Sequence, residues 1–127
     1  MGELLNKIKE NKYLNYKLND IINMYNTYKQ EEALEELENL IYEINLATIR
    51  QKLKIDVQEG NYNNIRKIYK EKDEELYQYY INIYAQYDEI YEKETENDSD
   101  DFLYLLQLVV SMLDIIFQKY GNIEVQN

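Results

Sequence analysis

Asp101–Gly121 reads DFLYLLQLVVSMLDIIFQKYG, and its periodicity decides the fold class. Gln107, Ser111, Asp114 and Gln118 recur at steps of four, three and four, so the polar residues share one narrow helical stripe. Apart from Lys119, every other position from Phe102 to Tyr120 is apolar or aromatic. A helix that is apolar over most of its circumference needs neighbours to cover it, and the long amphipathic segments upstream are the available cover. The stripe is read as a narrow solvent-facing edge, because a lone buried acid would not need aligned polar companions. A buried, catalytic Asp114 is the competing reading. The stretch is no membrane span, since Gln107, Ser111 and Asp114 fall in its middle.

Working outward, the chain is built from helix formers. It has no proline and three glycines, Gly2, Gly60 and Gly121, so few residues interrupt a helix. Leu14, Leu18, Ile21, Tyr25 and Tyr28 make one stripe, and Asn11 and Lys12 separate it from Leu4 and Ile8. That pattern predicts helices over about 3–10 and 13–28, with a bend near Glu10–Lys12. The run EEALEELE from Glu31 puts acids in a first turn, where they oppose the positive end of the helix dipole. Ala33, Leu37, Leu40, Ile44 and Ala47 form its core stripe, and Leu46, Ile49, Leu53 and Val57 form a second. A helix over 31–59 follows, about 43 Å long, closed by Gly60 as a left-handed cap.

Asn63 or Asn64 is the expected cap of a helix over 63–93, whose seam Ile65, Tyr69, Leu76, Tyr80, Ile83, Tyr87 and Ile90 is broken only at Lys72. The fragment Gly60-Asn61-Tyr62-Asn63-Asn64-Ile65 resembles the inter-helix turn of a tetratricopeptide repeat, although Ile65 stands where that family has alanine. Over these six residues the resemblance implies an antiparallel helical hairpin. Glu94–Asp101 is read as a surface loop, with Asp98 or Ser99 capping a helix over 101–120 and a fraying tail over 122–127. The expectation is an all-α single domain: an elongated antiparallel bundle of four to five helices, with the apolar C-terminal helix packed centrally.

Composition narrows the chemistry. No cysteine and no histidine are present, which removes disulfides, thiolates and the usual general base. The only serines are Ser99 and Ser111, and no glycine-rich loop cradles phosphate. Same-face carboxylate pairs such as Glu32/Glu35, Glu71/Glu74 and Glu89/Glu92 lack the histidines that complete helical metal sites. The run from Glu96 alternates oxygen ligands, yet lacks a calcium loop's central glycine and closing glutamate. Neither a metal nor a cofactor is expected, and the chain is read as no enzyme. Its start has no apolar core before a cleavage site, so a cytoplasmic protein is expected rather than a secreted one.

The net charge of −11 turns the chain away from nucleic acid and anionic membranes. Fifteen tyrosines are interleaved with the acids; AT-rich codons account for their number but not for their placement. Tyrosine offers rigid contact area with a polar tip, and neighbouring carboxylates suit Arg and Lys. Tyr77, Tyr84, Asp88, Glu89, Tyr91 and Glu92 are the candidate partner-binding residues. The reading is an acidic inhibitor or adaptor that engages a basic, nucleic-acid-handling protein. In its physics it resembles viral and mobile-element anti-defence proteins, anti-CRISPR proteins among them, and immunity proteins that mask a toxin. The alternative is a self-associating structural or assembly subunit. Apolar faces in surplus of one core suggest a homodimer in either case.

Overall fold

The computed structural model describes residues 2–58, 60, 62–92 and 99–125. Among these, all regular structure is helical: α1 (Gly2–Glu10), α2 (Lys12–Asn26), α3 (Gln30–Gln51), α4 (Tyr62–Lys72), α5 (Glu74–Glu92) and α6 (Ser99–Tyr120). Six helices therefore replace the expected four to five, because the helix predicted over 63–93 is split in two; the one predicted over 31–59 is only shortened.

The bend between α1 and α2 falls where the interrupted stripe put it. Asn11 leaves helical geometry, and its side-chain oxygen accepts the Leu14 N–H at 3.1 Å as an N-cap. Its Nδ2 donates to the Ile123 carbonyl at 3.0 Å. The C-terminal tail is thus held as far as Val125, and Gln126 and Asn127 lie outside the described residues. Ile123 and Val125 are buried, and Gln51 pairs with the Glu124 backbone through two bonds of 2.8 Å. The tail expectation failed because NIEVQN alternates apolar and polar residues, the pattern of a docked extended segment.

The chain leaves α2 through a Schellman turn. Lys29 N–H reaches the Met24 carbonyl at 2.9 Å, and Tyr28 N–H the Tyr25 carbonyl at 3.4 Å. Tyr28 occupies the left-handed position at φ 65° with 91% of its surface exposed. A Cβ there is disfavoured, whereas glycine is not. Tyr28→Gly is expected to raise stability by about 0.5 kcal/mol, the left-handed penalty relieved less the added unfolded-state entropy; urea titration checks it.

The first cut shortens the helix predicted over 31–59. α3 ends at Gln51, about 33 Å long instead of about 43 Å. Lys54 turns left-handed at φ 59°, and residues 54–58 run without helix, their Val57 carbonyl held by Arg50 Nε at 3.2 Å. Lys54-Ile55-Asp56-Val57-Gln58 alternates polar and apolar with two β-branched residues, which suits extended chain better than helix. Ile55 is half-buried and Val57 buried, so the alternation is used. Gly60 has positive φ, as expected, but caps no helix. Its N–H instead meets the Tyr42 hydroxyl in the middle of α3. α4 therefore starts level with mid-α3, not at the end of α3, and no hairpin turn of the tetratricopeptide kind forms. It begins at Tyr62, so Asn63 and Asn64 lie inside its first turn rather than capping it.

The second cut is at Asp73. The rings of Tyr69 and Tyr80 meet edge-on with centroids 5.9 Å apart, whereas eleven residues of unbroken helix would separate them by about 16 Å. The chain folds back sharply, and Asp73 starts α5 by accepting the Leu76 N–H at 3.1 Å.

α6 packs chiefly on α5 and also meets α1 and α3. Phe102, Leu105, Val109, Met112, Leu113, Ile116 and Phe117 are buried on one side. On the other side Gln107 and Gln118 are exposed and Ser111 and Asp114 half-exposed, so the polar stripe is the solvent edge. Gln118 Nε2 donates to Asp114 Oδ2 at 3.0 Å. Full central cover is not achieved: Leu103 and Tyr104, flanking the stripe, are 54% and 52% exposed. Ser99, Asp100 and Asp101, read as the end of a loop and as part of the calcium-like run, are instead the first residues of α6. Residues 94–98, with the start of that run and the capping Asp98, lie outside the described residues.

Buried residues from every helix form one cluster. It contains a polar centre. Tyr69 Oη donates to Asn45 Oδ1 at 2.7 Å, Asn45 Nδ2 to the Ile41 carbonyl and Thr48 Oγ1 to the Ile44 carbonyl, each at 2.8 Å. Burial pushes the Tyr69 phenol well above its ordinary pKa, so it stays neutral. Tyr69→Phe keeps the ring and orphans Asn45 Oδ1, and the expected cost is about 1–3 kcal/mol by thermal or urea unfolding.

Candidate functional site

α5 carries a ladder of tyrosines that leads from the core to solvent. Their spacing along a 3.6-residue turn sets them on adjoining rows of the helix. Tyr80 is buried, Tyr84 and Tyr87 are half-buried, and Tyr91 is 70% exposed. The Tyr80 and Tyr84 rings are tilted with centroids 4.8 Å apart, those of Tyr84 and Tyr87 are 6.3 Å apart, and Tyr91 stacks on Tyr87 at 6.0 Å. Burial and a hydrogen bond to the Glu38 carboxylate push the Tyr87 phenol well up, and Glu35 adds to the effect. Two acids of α3 thus lie beside the α5 ladder.

The fold-back at Asp73 opens a groove beside this ladder, with a volume of about 520 Å³. Tyr80, Ile81, Tyr84, Ala85, Tyr87 and Asp88 of α5 line it, with Glu38 of α3 and Asn63 and Arg66 of α4. Of the predicted residues, Tyr84 and Asp88 line the groove. Tyr91 and Glu92 continue the same face to the end of α5. Tyr77 shares the face but stands 14 residues, about 21 Å, before Tyr91; it is half-buried under Lys70, whose Nζ is 5.9 Å from its ring centroid. Glu89 is exposed about 100° around α5 from Asp88. Glu38, Asn63, Arg66, Tyr80 and Tyr87 were missed. The two tyrosines read as core seam and Glu38 as a dipole-matching acid, and no local pattern announces that α3 meets α4.

Helix ends gather acid at one pole. Phe102 stacks on Tyr25 at 4.1 Å, and Gln86 Nε2 donates to the Asp101 carbonyl at 3.1 Å. These contacts bring the last turn of α2 and the second half of α5 to the first turn of α6, and α3 starts just after α2. Glu31 and Glu32 begin α3 and Asp100 and Asp101 begin α6, where a helix dipole favours them. The acids of α5 have no such explanation. Glu89 and Glu92 lie in its last turn and Asp88 just before, with no basic residue among them. A C-terminal turn disfavours negative charge.

The other polar clusters tie helices together. Tyr13 Oη donates to a Glu43 oxygen at 2.7 Å, and Lys17 meets Glu36 at 3.0 Å, joining α2 to α3. Asp73 accepts from Tyr120 Oη at 2.6 Å and Lys119 Nζ at 3.0 Å, joining the start of α5 to the end of α6. A second pocket of about 380 Å³ lies between α1, Tyr13 and the tail, with Lys7, Lys12, Glu10 and Glu124 on its walls. Among the described residues, no group of three or more acids is close enough together to hold a metal ion. No helix among them is long and apolar enough to cross a membrane. No protein-family model, curated protein or solved structure matches this chain.

Proposed function

We propose that the chain is a non-enzymatic protein-binding module, an acidic inhibitor or adaptor that engages a basic, nucleic-acid-handling protein. The observation that carries this reading is the set Asp88, Glu89 and Glu92 at the C-terminal end of α5, held against the helix dipole, with Glu38 of α3 lining the same groove as Asp88. The helix dipole does not favour acids in that place, whereas a cationic partner does. Tyr84, Tyr87 and Tyr91 beside them supply contact area that loses little entropy on binding. A protein of this kind would act in the cytoplasm of a host, in the manner of anti-defence or immunity proteins. Self-association is the second reading. Exposed Leu103 and Tyr104 favour it, since an apolar margin of this kind suits a second copy in a homodimer.

The test is capture of the tagged chain's partners from nuclease-treated lysate at low and high salt. The first reading expects one basic protein, lost at high salt, because screening weakens surface charge pairs. Recovery of the chain alone, as a salt-resistant oligomer, would replace it with the second.

A further inference from the structure

The groove between α4 and α5 combines tyrosines and carboxylates in one lining. Tyr84, Tyr87 and Glu38 are half-buried along it, and Asp88 is exposed. A flat cation with several N–H donors matches both features at once. A guanidinium stacks on aromatic faces and donates in parallel pairs to a carboxylate. An ammonium is compact and strongly hydrated; it is drawn to ring and charge but can neither stack flat nor donate in parallel pairs. Arg66 on the α4 wall is the one basic residue lining the groove among the described residues, and it is exposed. It opposes entry of another cation and biases an incoming one toward the Glu38–Asp88 side.

We propose that this groove takes an arginine side chain of the basic partner, stacked on Tyr84 and Tyr87 and bonded to Glu38 and Asp88. This deepens the reading above and rests on it. The groove then discriminates arginine from lysine, and the acids at the end of α5 supply attraction that does not.

The experiment titrates the labelled full chain with hexa-arginine and hexa-lysine peptides of equal charge and follows backbone amides by NMR. Hexa-arginine is expected to bind about tenfold tighter, the order of one stacked, bidentate contact, with the largest shifts at Arg66, Ile81, Ala85 and Asp88. Ala85→Trp fills the groove and should lower hexa-arginine affinity to that of hexa-lysine while leaving hexa-lysine unchanged. Arg66→Ala should strengthen hexa-arginine binding more than hexa-lysine binding, since loss of the charge alone would favour both equally. Equal affinities for the two peptides, or an Ala85→Trp variant that keeps the preference, overturn the groove proposal and leave the acidic surface intact. Absence of binding by either peptide overturns both.

Discussion

Asp73→Ala is expected to cost about 3 kcal/mol of folding stability, the sum of a lost helix cap and a lost charge-assisted network. A drop in melting temperature of about 10 °C corresponds to that loss for a chain of this length. Asp73 is only 8% exposed. Its carboxylate receives the Leu76 N–H, the Tyr120 hydroxyl and the Lys119 ammonium, and Lys119 also reaches Glu75 at 2.7 Å. One side chain therefore starts α5, sets the fold-back from α4 and anchors the end of α6. Asp73→Asn keeps an acceptor for Leu76 and should recover about 1 kcal/mol of the loss, the worth of the cap alone.

The same network gives a pH signature. Burial alone would raise the pKa of Asp73, but the bonds from Tyr120, Leu76 and Lys119 outweigh it and hold the carboxyl below its ordinary value. A depressed folded pKa means stability that is present above the unfolded value of about 3.9 and lost as pH falls through the folded one. At the alkaline end, burial and the bond to Asp73 push the Tyr120 phenol up to about 12. That contribution is complete below the ordinary phenol value of about 10 and is lost as pH rises through the folded one. Asp73→Ala should flatten both limbs. Unfolding free energies measured across pH check this, and an acid limb as steep as in the wild type would remove Asp73 from the account.

The second large effect concerns binding. Asp88→Asn, Glu89→Gln and Glu92→Gln combined should weaken capture of the basic partner on the order of a hundredfold, roughly one kcal/mol for each charge pair lost. The loss should appear mainly as slower association and a shallower salt dependence, because rim charges steer encounter. Binding by surface plasmon resonance at two salt concentrations measures it. Unchanged affinity and salt slope in the triple variant would move the contact away from α5.

How far the sequence reveals this architecture can be argued position by position. Helix content was legible because proline is absent and the apolar stripes are long. The α1–α2 bend was legible at Asn11, where a polar pair interrupts a stripe and the residue type can cap. The fold-back at Asp73 left a trace: the seam of the predicted helix over 63–93 misses only at Lys72, one residue from the break. A single miss was not enough to end a helix on paper: the cap bond to Leu76 is local, but the partners that make Asp73 an anchor lie 46 and 47 residues away. The end of α3 also left a trace, in the alternation from Lys54 to Gln58, but the helical stripe through Leu53 and Val57 competed with it. Tail docking depends on Asn11 and Gln51, which no local pattern links to Ile123 and Glu124.

The candidate site was legible in part. Tyr84, Asp88, Tyr91 and Glu92 could be found on one helix because they share a face at helical spacing. The groove could not be found, because it exists only once the chain doubles back at Asp73 and sets Arg66 opposite Asp88. The meeting of the end of α2 and the start of α6 beside the second half of α5 is likewise a property of the packing.

Urea unfolding of the triple variant Asp88→Asn, Glu89→Gln, Glu92→Gln beside the wild type tests the central claim most directly. If these acids stand against the helix dipole for the sake of a partner, neutralising them raises stability by about 1–2 kcal/mol at low salt, and the gain shrinks as salt is added. A variant less stable than the wild type would mean that the acids serve the fold, and would contradict the account.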